Sequence, residues 1–249
     1  MTDAATATVA YSVKAGVATI ILDRPEASNA LNLAMKAELL QALTAARADA
    51  SVRAVAITAA GKNFCVGQDL GEHVKALRAD PAHAMDTVRD HYNPIIEALH
   101  AIEVPVVVGI NGACVGAGFG VALTGDVRIA GTRAKFGTAF TGIGLAADSG
   151  LSASLPRLIG AGRATALFML GENIDAATAL EWGIVHQVIE DSENQAVADT
   201  ALGIAGRLAA GPTAAFAAVK ALIAQNGAAT LAEALESEAD AQQRLGASA

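Results

Sequence analysis

The sequence has few aromatic residues, few charged residues and only two cysteines among its 249 residues. Aromatic side chains make up 4% and charged ones 17%, whereas 53% of the residues are hydrophobic, a balance that excludes a disordered chain. Alanine is the commonest apolar residue, so we expect closely packed helices instead of bulky aromatic clusters. The length allows one large domain or two small ones, with a sizeable core.

Cysteine usage and the N-terminus bear on where the protein works. Cys65 and Cys114 are too few for a disulfide framework, which favours a reduced, cytoplasmic setting. Residues 1–5 have neither the basic start nor the apolar run of a secretory signal. We therefore expect a cytoplasmic protein.

Charge and hydropathy exclude several kinds of partner. The formal net charge of −8 argues against non-specific binding to nucleic acid or to an anionic membrane, since both require a positive field. The uncharged stretch 104–125 is long enough to span a bilayer, but Pro105, Asn111 and several glycines would break such a helix. The five histidines lack the spacing of metal ligands, so no metal site is predicted.

Apolar runs separated by turn residues predict alternating strands and helices, followed by a mostly helical end. A loop or short helix is expected at 71–81, a helix interrupted by Pro94 at 82–102, and a long loop from 131 to 150. The predicted strands are Val17–Leu22, 54–58, 104–110, 126–130 and 185–189. The predicted helices are 31–48, 152–159, 163–170, 176–182 and most of the chain after 195.

Two glycine-containing turns each follow a strand, at 64–70 and at 111–120. Glycine lets the backbone approach a ligand closely, and a helix that begins at such a turn directs free N–H groups towards it. Two such turns suggest an oxyanion hole, in which backbone donors hold an oxygen that becomes anionic. The spacing Gly116-x-Gly118-x-Gly120 differs from the GxGxxG dinucleotide fingerprint, so a nucleotide-binding oxidoreductase is a distant alternative.

Motifs in a consistent order and spacing extend from about Val17 to the end of the chain, and together they resemble the crotonase superfamily of enoyl-CoA hydratases and isomerases. They are Leu22-Asp23-Arg24-Pro25, Asn29-Ala30-Leu31-Asn32, Phe64-Cys65-Val66-Gly67-Gln68-Asp69-Leu70, the stretch from Asn111-Gly112 to Asp126, Ala134-Lys135-Phe136-Gly137, Leu155-Pro156-Arg157-Leu158 and Ala179-Leu180-Glu181-Trp182-Gly183.

The resemblance implies an α/β fold: a spiral of ββα units with a helical C-terminal trimerisation region. It divides the chain into a core at 1–190 that carries the CoA site and a helical region at 191–249, within one catalytic unit. It also implies an acyl-CoA substrate, no permanently bound cofactor, and a homotrimer or a dimer of trimers. The sequence ends at Ser248-Ala249, before a basic C-terminal helix that the resemblance would lead us to expect.

The resemblance assigns roles to several positions. The two oxyanion N–H groups map onto Gln68 and Ala117, where a thioester oxygen would become an enolate oxygen. The positions near the CoA nucleotide are Arg24, Val66, Asp69 and Leu70, and those of the acyl pocket are Tyr92, Gly120 and Phe140. Arg24 could meet a phosphate of CoA.

Two departures from the hydratase pattern bear on the chemistry. Hydratases of this superfamily hold one water between two glutamates, at positions that are Gly120 and Phe140 here. Neither residue can transfer a proton. The usual hydratase mechanism is therefore not expected.

One acid, Asp148, lies where the isomerase branch, especially the epoxyphenylacetyl-CoA isomerases, carries a carboxylate. That branch shares the Gly-Gln-Asp-Leu turn and the Tyr92-Asn93-Pro94 element, although Ala147 and Leu151 differ from its usual proline and glycine. One carboxylate suffices for isomerisation, since it can remove a proton from one carbon and return it to another. Burial near Phe140 and two other apolar side chains, Ile143 and Leu145, would raise the pKa of Asp148 towards a useful range.

Simpler roles remain open for these residues. Asp148 could cap the helix predicted near 152 or form a turn with Ser149, and Asp69 could cap the helix that follows it. Arg24 could be a solvated turn residue, and Tyr92 could merely pack. Both cysteines are expected to be small buried side chains.

We expect an acyl-CoA isomerase in which Asp148 moves the proton. An enoyl-CoA hydratase is the nearest alternative. A crotonase homologue that binds acyl-CoA without catalysis is an alternative of a different class, because Gly120 and Phe140 replace the hydratase acids. The sequence does not identify the acyl group.

Overall fold

The computed structural model describes residues 7–191 and 195–247. The prediction about a secretory signal concerns residues 1–5, which lie outside this part of the chain. The strands are β1 (Val9–Lys14), β2 (Val17–Leu22), β3 (Ala54–Ala59), β4 (Val106–Ile110), β5 (Ala113–Val115), β6 (Val127–Gly131), β7 (Lys135–Gly137), β8 (Ile174–Asp175) and β9 (Gln187–Ile189). The α-helices are α1 (Leu33–Ala48), α2 (Leu70–Ala79), α3 (Asn93–His100), α4 (Ala117–Thr124), α5 (Leu151–Ile159), α6 (Ala161–Leu170), α7 (Ala176–Glu181), α8 (Ala196–Ala209), α9 (Thr213–Asn226) and α10 (Leu231–Gly246).

Six strands form the main sheet, in the order β1-β2-β3-β4-β6-β9. β1 pairs antiparallel with β2, and the other neighbours are parallel. The central strand β3 is buried along its whole length, as expected for a parallel sheet covered on both faces. A smaller sheet, β5-β7-β8, packs beside it and carries the second glycine turn.

Successive side chains of the central strands point to opposite faces of the sheet. On one face, Val55 and Ile57 join the large core with helices such as α1, α3 and α4. On the other face, Ala54, Ala56 and Val107 pack against the alanines of α8. Small side chains on both surfaces allow this close approach of helix and sheet.

The division of the chain at 190 stays a prediction, although α8 covers the sheet. α9 and α10 pack against each other, and Asn226 donates a hydrogen bond to the Ser237 hydroxyl at 3.1 Å. Within the described residues no single helix has the length and apolar content to cross a membrane. α8 and α9 taken together would pass on those two criteria, with a bend of 106° between them.

Most predicted elements are confirmed within a few residues, including the helical alternative for 71–81. The helix predicted at 82–102 was wrong for residues 82–86, which form turns. A π-helical turn, Val88–Tyr92, then leads into α3, and Pro94 lies in the first turn of that helix, where its missing N–H is harmless. The strands β1, β5 and β8 were not predicted, and β7 lies in the stretch predicted to be a loop.

Candidate active site

The two glycine turns lie side by side. The Cys65 N–H donates to the Ala113 oxygen at 3.0 Å, and the Val115 N–H donates to the Cys65 oxygen at 2.9 Å. A Cβ atom at Gly118 would lie 2.5 Å from that same Cys65 oxygen, so only glycine allows this approach. Pairing between the turns therefore fixes the position of one relative to the other.

Positive φ angles shape both turns. Gly67 has φ +84° and Gly116 has φ +57°, values that favour glycine. A Cβ atom at Gly67 would lie 3.0 Å from the Val115 oxygen and 3.3 Å from the Ala117 nitrogen. The first turn therefore comes within van der Waals contact of the start of α4.

The backbone N–H groups of Gln68 and Ala117 are both available to a ligand. Ala117 is the first residue of α4, so its N–H has no acceptor within the helix. Hydrogen bonds with Leu31 fix the chain on both sides of Gln68. The Leu31 N–H donates to the Gly67 oxygen, and the Asp69 N–H donates to the Leu31 oxygen. Within the part of the chain that the structure describes, neither N–H donates a hydrogen bond, and both residues line one cavity. Two such donors can hold a carbonyl oxygen that gains negative charge.

The cavity has a volume of about 420 Å³ and is largely apolar. Eight of the predicted site residues line it: Val66, Gln68, Asp69, Leu70, Tyr92, Ala117, Phe140 and Asp148. Six further lining residues had no predicted role there: Ala27, Ala30, His73, Met85, Thr138 and Ala139. Gly67 and Gly116, which also line it, belong to the two glycine turns. Ile143 and Leu145, expected beside Asp148, complete the apolar wall. The structure thus brings the predicted acid and both predicted donors to one place.

Gly120 does not line the cavity, which corrects its assignment to the acyl pocket. It is buried within α4, and a Cβ atom there would lie 2.5 Å from both the Cβ and the carbonyl oxygen of Ser149. Ser149 therefore occupies the space in which a side chain at position 120 would begin. A glutamate cannot be accommodated there without moving the Ser149 backbone.

Asp148 lies in the cavity wall, three residues before the start of α5 at Leu151. Burial raises the pKa of the Asp148 carboxyl, although a hydrogen bond from the Ser149 hydroxyl at 2.8 Å acts in the opposite direction. The N-cap of α5 is Gly150, and no side chain caps that helix. Asp148 is therefore not the helix cap considered above, but its bond to Ser149 agrees with the turn alternative. A carboxylate whose pKa is raised by burial is a stronger base than an ordinary aspartate, which suits it to proton transfer.

Arg24 does not line the cavity directly. Its Nη1 atom lies 2.6 Å from Asp69 Oδ2 and also donates to the Ala30 oxygen at 3.0 Å. Burial alone would raise the pKa of Asp69, but the hydrogen bonds from Arg24 and from the Glu72 and Gly71 amides outweigh it and lower the pKa. Asp69 also caps α2 by accepting from the Glu72 N–H at 3.0 Å, which confirms the capping alternative.

Tyr92 is almost fully buried, and its hydroxyl donates to the side-chain oxygen of Gln68. Burial and, secondarily, the nearby charge of Asp148 raise the pKa of Tyr92, so the hydroxyl remains a neutral donor. The Lys36 ammonium lies 5.4 Å from the centre of the ring and donates to the Thr87 hydroxyl at 2.9 Å. Lys36 was missed because nothing in the pattern of α1 marks it as buried.

Neither cysteine is suited to be a nucleophile. Both are buried, and burial raises the pKa of the Cys65 thiol to about 12. Their burial was predicted, and the backbones of Cys65 and Cys114 pair where the two glycine turns meet. Among residues 7–191 and 195–247, no group of three His, Cys, Asp or Glu side chains could hold a metal ion.

Comparison with known proteins gives consistent matches along nearly the whole chain. The sequence profile described as enoyl-CoA hydratase/isomerase matches residues 12–249. A crystal structure of a candidate enoyl-CoA hydratase/isomerase from Mycobacterium abscessus is 71% identical, with a TM-score of 0.94 over 96% of this chain and 91% of that one.

Curated relatives carry different activities. The 1,2-epoxyphenylacetyl-CoA isomerase of Escherichia coli is 39% identical, over 95% of this chain and 89% of its own. A candidate enoyl-CoA hydratase of Rhodobacter capsulatus is 40% identical, over 97% of this chain and 91% of its own. Similarity of this kind identifies the fold and family but does not choose between the two reactions.

Proposed function

Because this chain belongs to the enoyl-CoA hydratase/isomerase family and has the crotonase fold, we propose that it is an acyl-CoA isomerase with Asp148 as its proton carrier. The observation that carries the proposal is the arrangement of the cavity. One carboxylate with a raised pKa shares that cavity with two free backbone N–H groups.

The reaction follows from these parts. The thioester oxygen of a 3-enoyl-CoA accepts hydrogen bonds from the Gln68 and Ala117 N–H groups. The Asp148 carboxylate removes a proton from C2, and the negative charge moves to the thioester oxygen. Asp148 then returns the proton to C4, which leaves the double bond between C2 and C3. Donors of this kind typically contribute about 10²–10³ in rate each.

The residues at the two positions where hydratases carry glutamate make hydration the less favoured reaction. Gly120 is covered by Ser149, and Phe140 supplies an apolar ring to the cavity wall. Asp148 alone would have to activate water and protonate carbon. Hydration is the second candidate function, because one relative is a candidate enoyl-CoA hydratase. The experiment below tests both reactions.

A non-catalytic acyl-CoA-binding protein is the alternative of another class. It needs the oxyanion donors and the cavity but not the raised pKa of Asp148. Burial raises the pKa of any carboxyl, so the shift at Asp148 fits both alternatives, and a turnover assay separates them.

The CoA part of the ligand is assigned to the mouth of the cavity. We propose that Val66 and Leu70 contact it, and that the ion pair of Arg24 with Asp69 orders this edge while leaving guanidinium N–H groups for phosphate. Leu70 is 62% exposed, as suits a residue that a ligand covers. No permanent cofactor is part of this proposal.

We also propose that the protein forms a homotrimer or a dimer of trimers and works in the cytoplasm. Large apolar side chains on the two C-terminal helices are exposed, namely Val219, Ile223, Leu231 and Leu235. Their exposure supports burial against further copies of the chain.

The decisive experiment compares turnover of a 3-enoyl-CoA and a 2-enoyl-CoA by the wild type, Asp148→Asn and Asp90→Asn. Asp90 is an exposed aspartate that is not among the residues found to line the cavity, which makes it the matched control. We expect conversion of the 3-enoyl substrate without hydration, lost in Asp148→Asn and kept in Asp90→Asn. Hydration of the 2-enoyl substrate would favour the hydratase. Retained binding with no turnover of either substrate would favour the non-catalytic alternative.

A further inference from the structure

Ser149 is a buried polar residue that lies between the candidate acid and the helix that supplies one oxyanion donor. Only 3% of the residue is exposed, and its hydroxyl donates to Asp148 Oδ1 at 2.8 Å. The proposed reaction gives Ser149 no role. A turn alone would explain the bond, so the surroundings of Ser149 decide whether it has a further role.

The backbone of Ser149 is in the left-handed region, with φ +52°. Residues other than glycine adopt such angles at a cost, and such angles persist only where the surroundings hold them. Glycine would fit there without strain, as it does at Gly150 with φ +74°. The strain at Ser149 therefore needs an offsetting interaction of its side chain. Within the described residues, the hydrogen bond found for that side chain is the one to Asp148.

Ser149 also packs directly on α4. A Cβ atom placed at Gly120 would lie 2.5 Å from the Cβ atom of Ser149, so the two residues are in close contact. Gly120 lies about one turn after the start of α4, where Ala117 has its free N–H. Because Ser149 contacts both Asp148 and α4, it links the position of the carboxyl to that of the oxyanion donor.

The two oxygens of the Asp148 carboxyl have different surroundings. Oδ1 accepts from Ser149, whereas no hydrogen bond is found at Oδ2 among the described residues. Oδ2 is also not one of the buried polar atoms that lack a partner in that part of the chain, and Asp148 lines the cavity. Oδ2 is therefore the oxygen that a ligand in the cavity can reach.

We infer that Ser149 is a positioning residue that holds Asp148 by Oδ1 and so presents Oδ2 to the ligand, an inference that rests on the proposed function only for the removal of a proton by Asp148. In the proposed reaction, the same Oδ2 takes the proton from C2 and returns it to C4. Without the hydroxyl of Ser149 the carboxylate is free to rotate, and Oδ2 faces the reacting carbons for a smaller fraction of the time.

The test compares the wild type with Ser149→Ala and Ser149→Gly. Alanine removes the hydroxyl and keeps the Cβ atom, whereas glycine also relieves the strained φ, so the second variant decides the matter if the first does not fold. Each protein is labelled with carbon-13 at the aspartate carboxyls, and the Asp148 signal is identified by its absence in Asp148→Asn. The pKa of Asp148 is read from that signal, and kcat and KM for a 3-enoyl-CoA are measured as functions of pH.

The hydrogen bond from Ser149 lowers the pKa of Asp148, so this pKa should rise in both variants. Burial and the charge of Asp148 raise the pKa of Tyr92, which therefore stays neutral and does not titrate with the carboxyl. We expect kcat to fall about tenfold where the carboxyl is ionised, with little change in KM. A higher pKa makes Asp148 a stronger base, so a lower kcat would report lost position and not lost basicity.

Ser154→Ala is the matched control and should behave as the wild type, because the hydroxyl that it removes donates to the Gly150 oxygen at 3.0 Å and not to Asp148. An unchanged pKa of Asp148 in the folded Ser149 variants would overturn the inference, and so would a raised pKa with the kcat of the wild type. An inactive wild type would refute the proposed isomerase, and the carboxyl titration would then decide the inference alone. A raised pKa would support the hold of Ser149 on Asp148, and an unchanged one would overturn it.

Discussion

Substitution of Gly118 by alanine tests whether contact between the two glycine turns sets the geometry of the oxyanion donors. The new Cβ atom would lie 2.5 Å from the Cys65 oxygen and 2.7 Å from its Sγ, whereas ordinary contacts begin at 3.4 Å. The turns must therefore separate by about 0.9 Å. Because Cys65 is three residues before Gln68 and Gly118 directly follows Ala117, this shift acts on both donors.

Two magnitudes follow from that displacement. A misplacement of about 1 Å in a site of this kind lowers the rate by roughly 10²-fold. Overpacking of a buried contact lowers the free energy of unfolding by about 1–3 kcal/mol. We expect kcat/KM for a 3-enoyl-CoA to fall by about 10²-fold and urea denaturation to show the loss of stability.

Gly203→Ala is the matched control. Gly203 lies within α8 and has no other atom within 4 Å of the position of a new Cβ. Alanine is the better helix former, so this variant should be more stable by up to about 1 kcal/mol, with unchanged activity. If Gly118→Ala were as active and as stable as Gly203→Ala, the reasoning about the paired turns would be wrong.

Three further predictions follow from the site. Tyr92→Phe removes the hydroxyl that donates to Gln68 and should lower kcat/KM by about fivefold. Tyr11→Phe, in the edge strand β1, is the control and should leave kcat/KM unchanged. Equal kinetics of the two variants would contradict a positioning role for Tyr92. Gly120→Glu should be destabilised by its clash with Ser149 and should gain no hydration of 2-enoyl-CoA; a stable variant that hydrates would contradict the steric argument. The raised pKa of Asp148 means that its contribution to stability is largest below the ordinary aspartate pKa of about 3.9 and is lost as pH rises through the folded-state value. Asp148→Asn should therefore be more stable than the wild type at pH 7, by a margin that shrinks in acid, and a margin independent of pH in urea titrations would refute this.

The parts of the fold that could be predicted are those whose signal is local. β2 and β3 are short apolar runs, and α1 has its apolar stripe and the Asn32 cap. β1 was missed because five of its six residues are not buried, so it lacks the pattern of a core strand. β5 and β8 have three and two residues, too few for any periodicity.

The predictable part of the site had the same limit. Glycine turns indicate free N–H groups, and the resemblance indicated Asp148. The sequence does not show which distant segments contact each other. The covering of Gly120 by Ser149 joins residues 29 positions apart, and the exposure of His73 to the cavity depends on how α2 packs. Neither contact has a signature in the sequence around the residue.

The central claim, that Asp148 carries the proton between two carbons, is tested most directly by isotope transfer. A 3-enoyl-CoA labelled with deuterium at C2 is converted in ordinary water, and the product is analysed for deuterium at C4. The wild type should deliver label to C4, and Asp148→Asn should neither transfer label nor form product. Label transfer by Asp148→Asn at the rate of the wild type would contradict the account.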